Sequence, residues 1–259
     1  MRHAHQGSGP PLLLIHGLGG SRNSFDPITG ALASEREVIA PDLPGFGETA
    51  PLVGEVSIAT VADALEGFIA EHELDGVDCA GSSMGARLAL ELARRGRVGA
   101  TVALDPGGFW NYRESQVFGA SVALSVKLVR ALQPVMPALT GSPVGRSVLF
   151  AQFSAKPWSL PGDVLLSEMQ TFAAARSFDE ALSSLVHGPL PAGMPAHSAR
   201  GPIVIGWGRR DLVCLPRQAQ RAQKLFPDAR LHWFDRCGHF PHWDQPEETS
   251  RLILETTRG

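Results

Sequence analysis

The sequence is poor in cysteine and has no excess of charge of either sign. Its 259 residues include three cysteines, Cys79, Cys214 and Cys237. An odd number without metal-type spacing argues against a disulfide framework and a zinc site, so we expect no metal and no cofactor. The formal net charge of −3 excludes the basic bias of nucleic-acid-binding proteins, and no nucleic-acid partner is expected.

Long apolar runs are also missing. The first ten residues contain no apolar core of signal-peptide length, and no run of about 18 apolar residues occurs elsewhere. We therefore expect a cytoplasmic protein without a membrane partner, either a monomer or a homodimer. The length and the 44% hydrophobic content suit one α/β domain that carries an insertion.

A Gly-x-Ser-x-Gly motif at residues 81–85 is the most informative feature that the chain does have. It lies where the strand-like residues 77–80 meet a helical pattern that begins at Met84. In such a turn the glycines allow close backbone packing, and the serine hydroxyl is raised from the sheet edge. Ser83 has glycine two positions before and after it, whereas Ser82 does not. We therefore predict Ser83 as a nucleophile.

A nucleophilic serine needs a base to take its proton and a carboxylate to orient that base. Asp211 follows the apolar run 203–207, and His239 follows the alternating segment 230–234. Serine, aspartate, histidine is the chain order of α/β-hydrolases. Two alternatives stay open: Asp105 also follows a strand between the serine and the histidine, and His242 lies three residues beyond His239.

These residues and three further segments resemble the α/β-hydrolase fold family, with serine esterases and lipases closest in pattern. The segments are His16-Gly17-Leu18-Gly19-Gly20, Pro41-Asp42-Leu43-Pro44-Gly45-Phe46-Gly47-Glu48 and Gln245-Pro246-Glu247-Glu248. The resemblance covers roughly residues 10–108 and 201–257. It implies an oxyanion hole formed by the N–H groups of Leu18 and Met84, with His16 bracing the loop. The Trp-Gly-x-x-Asp context favours Asp211 over Asp105 as the acid.

The hydrophobic pattern alternates between strands and helices, as expected for a mostly parallel, doubly wound α/β sheet. Predicted strands span 12–16, 36–40, 77–81, 100–104, 202–207 and 230–234. Only about ten residues precede the first of them, so the antiparallel hairpin that often opens the family's sheet is expected to be shortened or missing.

Residues 109–200 interrupt this alternation with helical stretches near 114–132, 144–154, 162–175 and 178–187. We predict three segments: a first part of the core (1–108), a helical lid (109–200) inserted between the family's strands 6 and 7, and a second part of the core (201–259). Such a lid is expected to cover the serine and supply an apolar pocket. The predicted substrate-binding residues are Gly17, Phe25, Trp110, Trp158 and Phe240.

The resulting hypothesis is a serine hydrolase that cleaves a small apolar ester, thioester or lactone. A second hypothesis is hydrolysis of a carbon–carbon bond in a ring-cleavage dienoate, because the elbow and lid are similar to those of such enzymes. Those enzymes bind the substrate carboxylate through an arginine and a tryptophan, for which Arg87, Arg113 and Trp243 are candidates. A third is a non-enzymatic ligand receptor on the same fold, which would acylate once without sustained turnover.

Overall fold

The computed structural model describes residues 1–258. The strands are β1 (His3–Gln6), β2 (Pro11–Ile15), β3 (Glu37–Pro41), β4 (Asp78–Ser82), β5 (Thr101–Leu104), β6 (Ile203–Gly208) and β7 (Arg230–Phe234). The α-helices are α1 (Asp26–Ala33), α2 (Ile58–Glu71), α3 (Met84–Arg94), α4 (Tyr112–Leu132), α5 (Met136–Gly141), α6 (Pro143–Phe150), α7 (Gly162–Ala174), α8 (Phe178–His187), α9 (Ala219–Leu225), α10 (Pro241–Asp244) and α11 (Pro246–Thr257). Short 3₁₀ helices span Gln133–Val135, Pro157–Ser159 and Pro216–Gln218.

The strands form one sheet in the order β1-β3-β2-β4-β5-β6-β7. All neighbours are parallel except β1, which pairs with β3 in the antiparallel sense. β1 carries exposed polar side chains, as suits an edge strand. The predicted fold class is confirmed. The opening of the sheet is shortened, as expected, and consists of β1, a strand that the sequence pattern did not predict.

Both faces of the sheet are buried, which explains its near-continuous apolar strands. In β2, Leu13 and Ile15 join one apolar cluster with α2 and α3, whereas Leu12 and Leu14 join another with α1 and α11. This alternation places every second side chain on the opposite face. The six predicted strands agree with the observed ones to within one residue at each end.

Helices α4–α8 lie between β5 and β6. A capping box between Asn111 and Glu114 starts α4. The side chain of each residue accepts a hydrogen bond from the backbone N–H of the other. A third apolar cluster, which includes Val129, Phe150 and Met169, gives this helical insertion its own core. The short α5 was not predicted. That the insertion works as a lid stays a prediction.

The helical run Tyr112–Gly141 meets the length and composition criteria for a membrane span, and 22% of the qualifying window is buried in this fold. In this fold α4 packs against α7 and α8. Its buried Glu114 forms ion pairs with Arg217 and Arg221. These contacts account for the helix as part of the domain. The absence of a membrane partner stays a prediction.

Candidate active site

The carboxyl ends of four adjacent parallel strands meet at one edge of the sheet. Ser83 directly follows β4, Asp105 follows β5, Asp211 lies three residues after β6, and His239 lies five residues after β7. In open α/β sheets this edge is where ligands bind. The topology therefore brings together four residues that are far apart in the sequence.

Ser83 has a strained backbone at the turn from β4 into α3. Its φ of 56° and ψ of −115° are rare for a residue with a side chain. The flanking glycines make the turn possible: a Cβ at Gly81 would lie 2.2 Å from the carbonyl oxygen of Gly85, and one at Gly85 would lie 2.0 Å from that of Ile15. The turn has the geometry expected of a nucleophile elbow.

His239 connects Ser83 to Asp211 by two hydrogen bonds. Its Nε2 lies 2.9 Å from Ser83 Oγ, and its Nδ1 lies 2.8 Å from Asp211 Oδ2. The other oxygen of Asp211 accepts the N–H groups of Val213 at 2.7 Å and Cys214 at 2.9 Å. Because the carboxylate is held by backbone donors, Nδ1 carries the proton and Nε2 is free to accept one from the serine.

The loop after β2 contacts this serine. A Cβ at Gly17 would lie 3.2 Å from Ser83 Cβ, so glycine permits the close approach. The buried His16 braces the loop, since its Nε2 accepts the N–H of Leu43 at 3.0 Å and its Nδ1 donates to the Gly17 carbonyl at 2.8 Å. Burial lowers the pKa of His16 to about 4, which keeps the imidazole neutral.

Two backbone N–H groups near Ser83 have no acceptor among residues 1–258. Met84 is the first residue of α3, where the N–H has no partner within the helix. The N–H of Leu18, in the braced loop, likewise donates no hydrogen bond within that range. Backbone N–H groups without an acceptor near a nucleophilic serine are the donors that an oxyanion hole requires.

A cavity of about 430 Å³ lies between this edge of the sheet and the helical insertion. Four predicted site residues besides Ser83 and His239 line it: Gly17, Leu18, Phe25 and Phe240. Apolar side chains from α4, α6 and α7 form the opposite wall, including Val122, Val129, Val148, Met169 and Phe172. The cavity is therefore mostly apolar and opens onto the serine.

Two predicted substrate-binding residues do not line this cavity. Trp110 is buried but stacks on Phe118, with ring centroids 4.5 Å apart, and packs in the core. Trp158 is 56% exposed on the surface of the insertion. The sequence shows which large residues belong to the insertion, but their direction depends on how its helices pack.

The cavity wall contains no lysine or arginine. Arg87 is buried elsewhere, where its guanidinium donates to the Pro189 carbonyl, and Arg113 is exposed. Trp243 does line the cavity. The one carboxyl group in the wall is that of Glu168, which accepts a 3.3 Å hydrogen bond from Ser24 and whose pKa is raised to about 7 by burial and, secondarily, by Asp26. Sequence reasoning missed Glu168, since nothing local marks it.

The alternative candidates for base, acid and nucleophile are not part of this hydrogen-bonded series. His242 also lines the cavity, but no hydrogen bond joins it to Ser83, and burial lowers its pKa to about 3. Asp105 is fully buried beside Asp211 and forms no hydrogen bond with His239. Ser82 has a buried hydroxyl without a partner among residues 1–258. The geometry thus joins Ser83, His239 and Asp211.

Asp244, at the end of α10, ties the histidine loop to the insertion and was also missed. Its carboxylate is fully buried and accepts from Gly238 N at 2.7 Å, Ala155 N at 2.8 Å and the Ser154 hydroxyl. A second link is the 2.8 Å bond from His239 N to the Phe153 carbonyl. The position of the histidine therefore depends on residues of the insertion.

Asp211, Cys214 and His239 also bring potential metal-ligand atoms within 4.8 Å of one another. The donor chemistry fits a metal poorly. Burial, and then the nearby charge of Asp211, raise the pKa of the Cys214 thiol well above its usual range, whereas metals bind the thiolate. The Asp211 oxygens are already engaged by backbone donors and His239.

Comparison with known proteins agrees with this architecture. The profile of the Alpha/beta hydrolase family matches residues 12–252, so the chain belongs to that family. It is 29% identical over 260 residues to 2-hydroxy-6-oxo-2,4-heptadienoate hydrolase of Pseudomonas putida, covering 95% of this chain and 88% of the relative. It is 26% identical to an uncharacterized protein of Mycobacterium bovis, covering 97% of this chain and 77% of the relative.

A thermophilic esterase from Thermogutta terrifontis has the same fold. The TM-score is 0.76 at 22% identity, over 98% of this chain and 91% of the esterase. The family match and the relationship to the Pseudomonas putida hydrolase make this protein a hydrolase of the α/β family.

Proposed function

We propose that this protein hydrolyses a small, uncharged carboxylic ester, thioester or lactone through an acyl-enzyme on Ser83. One observation carries the proposal: the hydrogen-bonded series Ser83, His239 and Asp211 opens into an apolar cavity without a cationic side chain. Such a site provides a nucleophile and room for an apolar group, but no counter-ion for a substrate carboxylate.

In the proposed mechanism, His239 Nε2 accepts the Ser83 proton while Oγ attacks the carbonyl carbon. The N–H groups of Leu18 and Met84 bind the developing oxyanion, and each such donor typically contributes about 10²- to 10³-fold in rate. His239 then protonates the leaving alcohol. A water molecule, deprotonated by His239, attacks the acyl-enzyme and releases the acid.

Hydrolysis of a dienoate is the second candidate, favoured by the 29% identity to the Pseudomonas putida hydrolase. The charge of the cavity weighs against it. Arg87 and Arg113 lie outside the wall, and Glu168 is its only carboxyl group. A buried anion needs a paired cation, and an ionised Glu168 repels a substrate carboxylate.

The test is stopped-flow release of p-nitrophenol from p-nitrophenyl butyrate by the wild type, Ser83→Ala and the matched control Ser82→Ala. We expect sustained turnover by the wild type and Ser82→Ala, and a loss of about 10⁶-fold in kcat in Ser83→Ala. Turnover that survives in Ser83→Ala refutes the proposed nucleophile. A single burst of one equivalent indicates a receptor, and faster consumption of a coloured ring-cleavage dienoate than of any ester indicates carbon–carbon bond hydrolysis.

A further inference from the structure

Asp105 is held rigidly at the end of β5. Its φ of 47° lies in the left-handed region, which aspartate tolerates better than most residues. Its N–H donates to the Gly206 carbonyl, and its Oδ1 accepts the N–H of Gly208, both at 2.8 Å. The side chain is fully buried. The carboxyl group is therefore fixed against the segment that leads from β6 to Asp211.

The second oxygen of Asp105 has no N–H or hydroxyl partner among residues 1–258. Gly208, which donates to Asp105 Oδ1, also accepts the N–H of Asp211 at 3.2 Å, so the two carboxyl groups lie side by side after neighbouring strands. No lysine or arginine of the described chain pairs with either acid, and His239 pairs only with Asp211. Two carboxylates side by side in a dry interior cannot both remain ionised without a cation for each, so one of them keeps a proton.

The hydrogen bonds decide which acid keeps it. The Asp211 carboxylate accepts two backbone N–H groups and the imidazole Nδ1–H, all of which stabilise the charged form. Asp105 accepts one backbone N–H. Burial, and then the charge of Asp211, raise the pKa of Asp105 well above its usual range.

The other titratable groups near this pair supply no compensating positive charge. Asp244 adds a further negative charge from α10, and it also raises the pKa of Asp105. The thiols of Cys214 and Cys237 are both buried, and burial raises the pKa of each above its usual range. A neutral Asp105 is thus consistent with every ionisable group that faces it.

We propose that Asp105 is a positioning residue: a neutral carboxylic acid whose Oδ2–H donates a hydrogen bond to Asp211 and thereby holds the carboxylate that orients His239. The inference rests on the hydrolase activity proposed above, and it assigns Asp105 a role other than that of the acid which contacts the histidine. With Asp105 neutral, the pair formed by Asp105 and Asp211 carries one negative charge instead of two.

The test compares Asp105→Asn and Asp105→Gly, because asparagine and glycine both tolerate the positive φ. Asparagine keeps a donor toward Asp211 and an acceptor for Gly208, whereas glycine removes both. With p-nitrophenyl butyrate we expect kcat/KM of Asp105→Asn to stay within about threefold of the wild type. Asp105→Gly is expected to lose about 10- to 100-fold, the typical effect of one hydrogen bond to a charged group.

The pH profile of kcat/KM separates a neutral Asp105 from an ionised one. If Asp105 is neutral, its replacement by asparagine changes no charge, and the acid limb of the profile stays where it is in the wild type. A shift of that limb to lower pH by about one unit or more means that a negative charge was removed, and it overturns the proposal. Equal losses in the two variants, or no loss in either, also overturn it.

A measurement that needs no activity keeps the two proposals distinct. In protein labelled with ¹³C at aspartate Cγ, one resonance at pH 8 is expected at the position of a protonated carboxyl group, and it should vanish in Asp105→Asn. Its absence from the wild type refutes the neutral acid, even if ester hydrolysis is confirmed. Its presence in a protein without esterase activity supports the neutral acid and refutes only the proposed function. Circular dichroism of each variant confirms that it is folded.

Discussion

The edge of the sheet that carries Ser83 and the helical insertion α4–α8 differ in the burial and hydrogen bonding of their side chains. At the sheet edge, Ser83, His239 and Asp211 are fully or almost fully buried and joined by bonds of 2.8–2.9 Å. On the insertion, Val117, Leu124 and Val148 remain at least 58% exposed, although the last two also line the cavity. Reaction chemistry needs fixed atoms, whereas an apolar pocket needs only shape and volume.

After Ser83→Ala, the largest effect is expected at the sheet edge, from Asp211→Asn. An amide can no longer hold His239 in the tautomer that accepts the serine proton, so we expect kcat for p-nitrophenyl butyrate to fall by about 10⁴-fold. The control is Asp235→Asn, since Asp235 is an exposed aspartate that pairs with Arg209, and it should stay within about twofold. If kcat of Asp211→Asn falls by less than tenfold, Asp211 is not the acid that orients His239.

Adding one methyl group to a glycine of the nucleophile elbow should destabilise the fold. A Cβ at Gly85 would lie 2.0 Å from the Ile15 carbonyl oxygen, so Gly85→Ala must move backbone and is expected to lower the free energy of unfolding by about 3 kcal/mol or more. Gly67 in α2 has open space around it, and Gly67→Ala should raise that free energy by up to about 1 kcal/mol. Urea denaturation measures both, and similar values would contradict the packing described for the elbow.

The insertion should change substrate choice rather than the chemical step. Val122 of α4 is buried in the cavity wall, so Val122→Phe is expected to lower kcat/KM for the p-nitrophenyl hexanoate ester about tenfold relative to the acetate. Val117, on the same helix but 69% exposed, provides the control Val117→Phe, which should leave the ratio unchanged. An equal loss with both esters in Val122→Phe would place the acyl group elsewhere.

The smallest effect concerns the carboxyl group in the cavity wall. The pKa of Glu168 is raised from 4.5 to about 7, so the folded protein binds its proton more tightly than the unfolded chain does. The stability of the wild type relative to Glu168→Gln should therefore be greatest below pH 4.5, fall as the pH rises to 7, and stay constant above it.

Denaturation of both proteins at several pH values measures this difference. Glu180→Gln, at an exposed position of α8, is the control and should show no such trend. A wild-type advantage that grows between pH 4.5 and 7 would have the wrong sign and would contradict the raised pKa of Glu168.

Local pattern explains why the sheet was predicted well. Buried parallel strands are continuous apolar runs, so six of the seven were found to within one residue. β1 was missed because His3, His5 and Gln6 show no apolar signal, and its pairing with β3 provides the only reason for it to be a strand. Trp110 and Trp158 were assigned to the pocket because they are large, but size does not give direction.

By itself, the sequence determined the parallel sheet, the glycines of the elbow and the order of Ser83, Asp211 and His239. Each of these is encoded locally, by hydrophobic period, by the need for a missing Cβ or by position just after a strand. The tertiary structure alone decided that Asp105 lies beside Asp211 and that Glu168 faces the cavity. Such contacts join residues about a hundred positions or more apart, and strand register and helix packing bring them together.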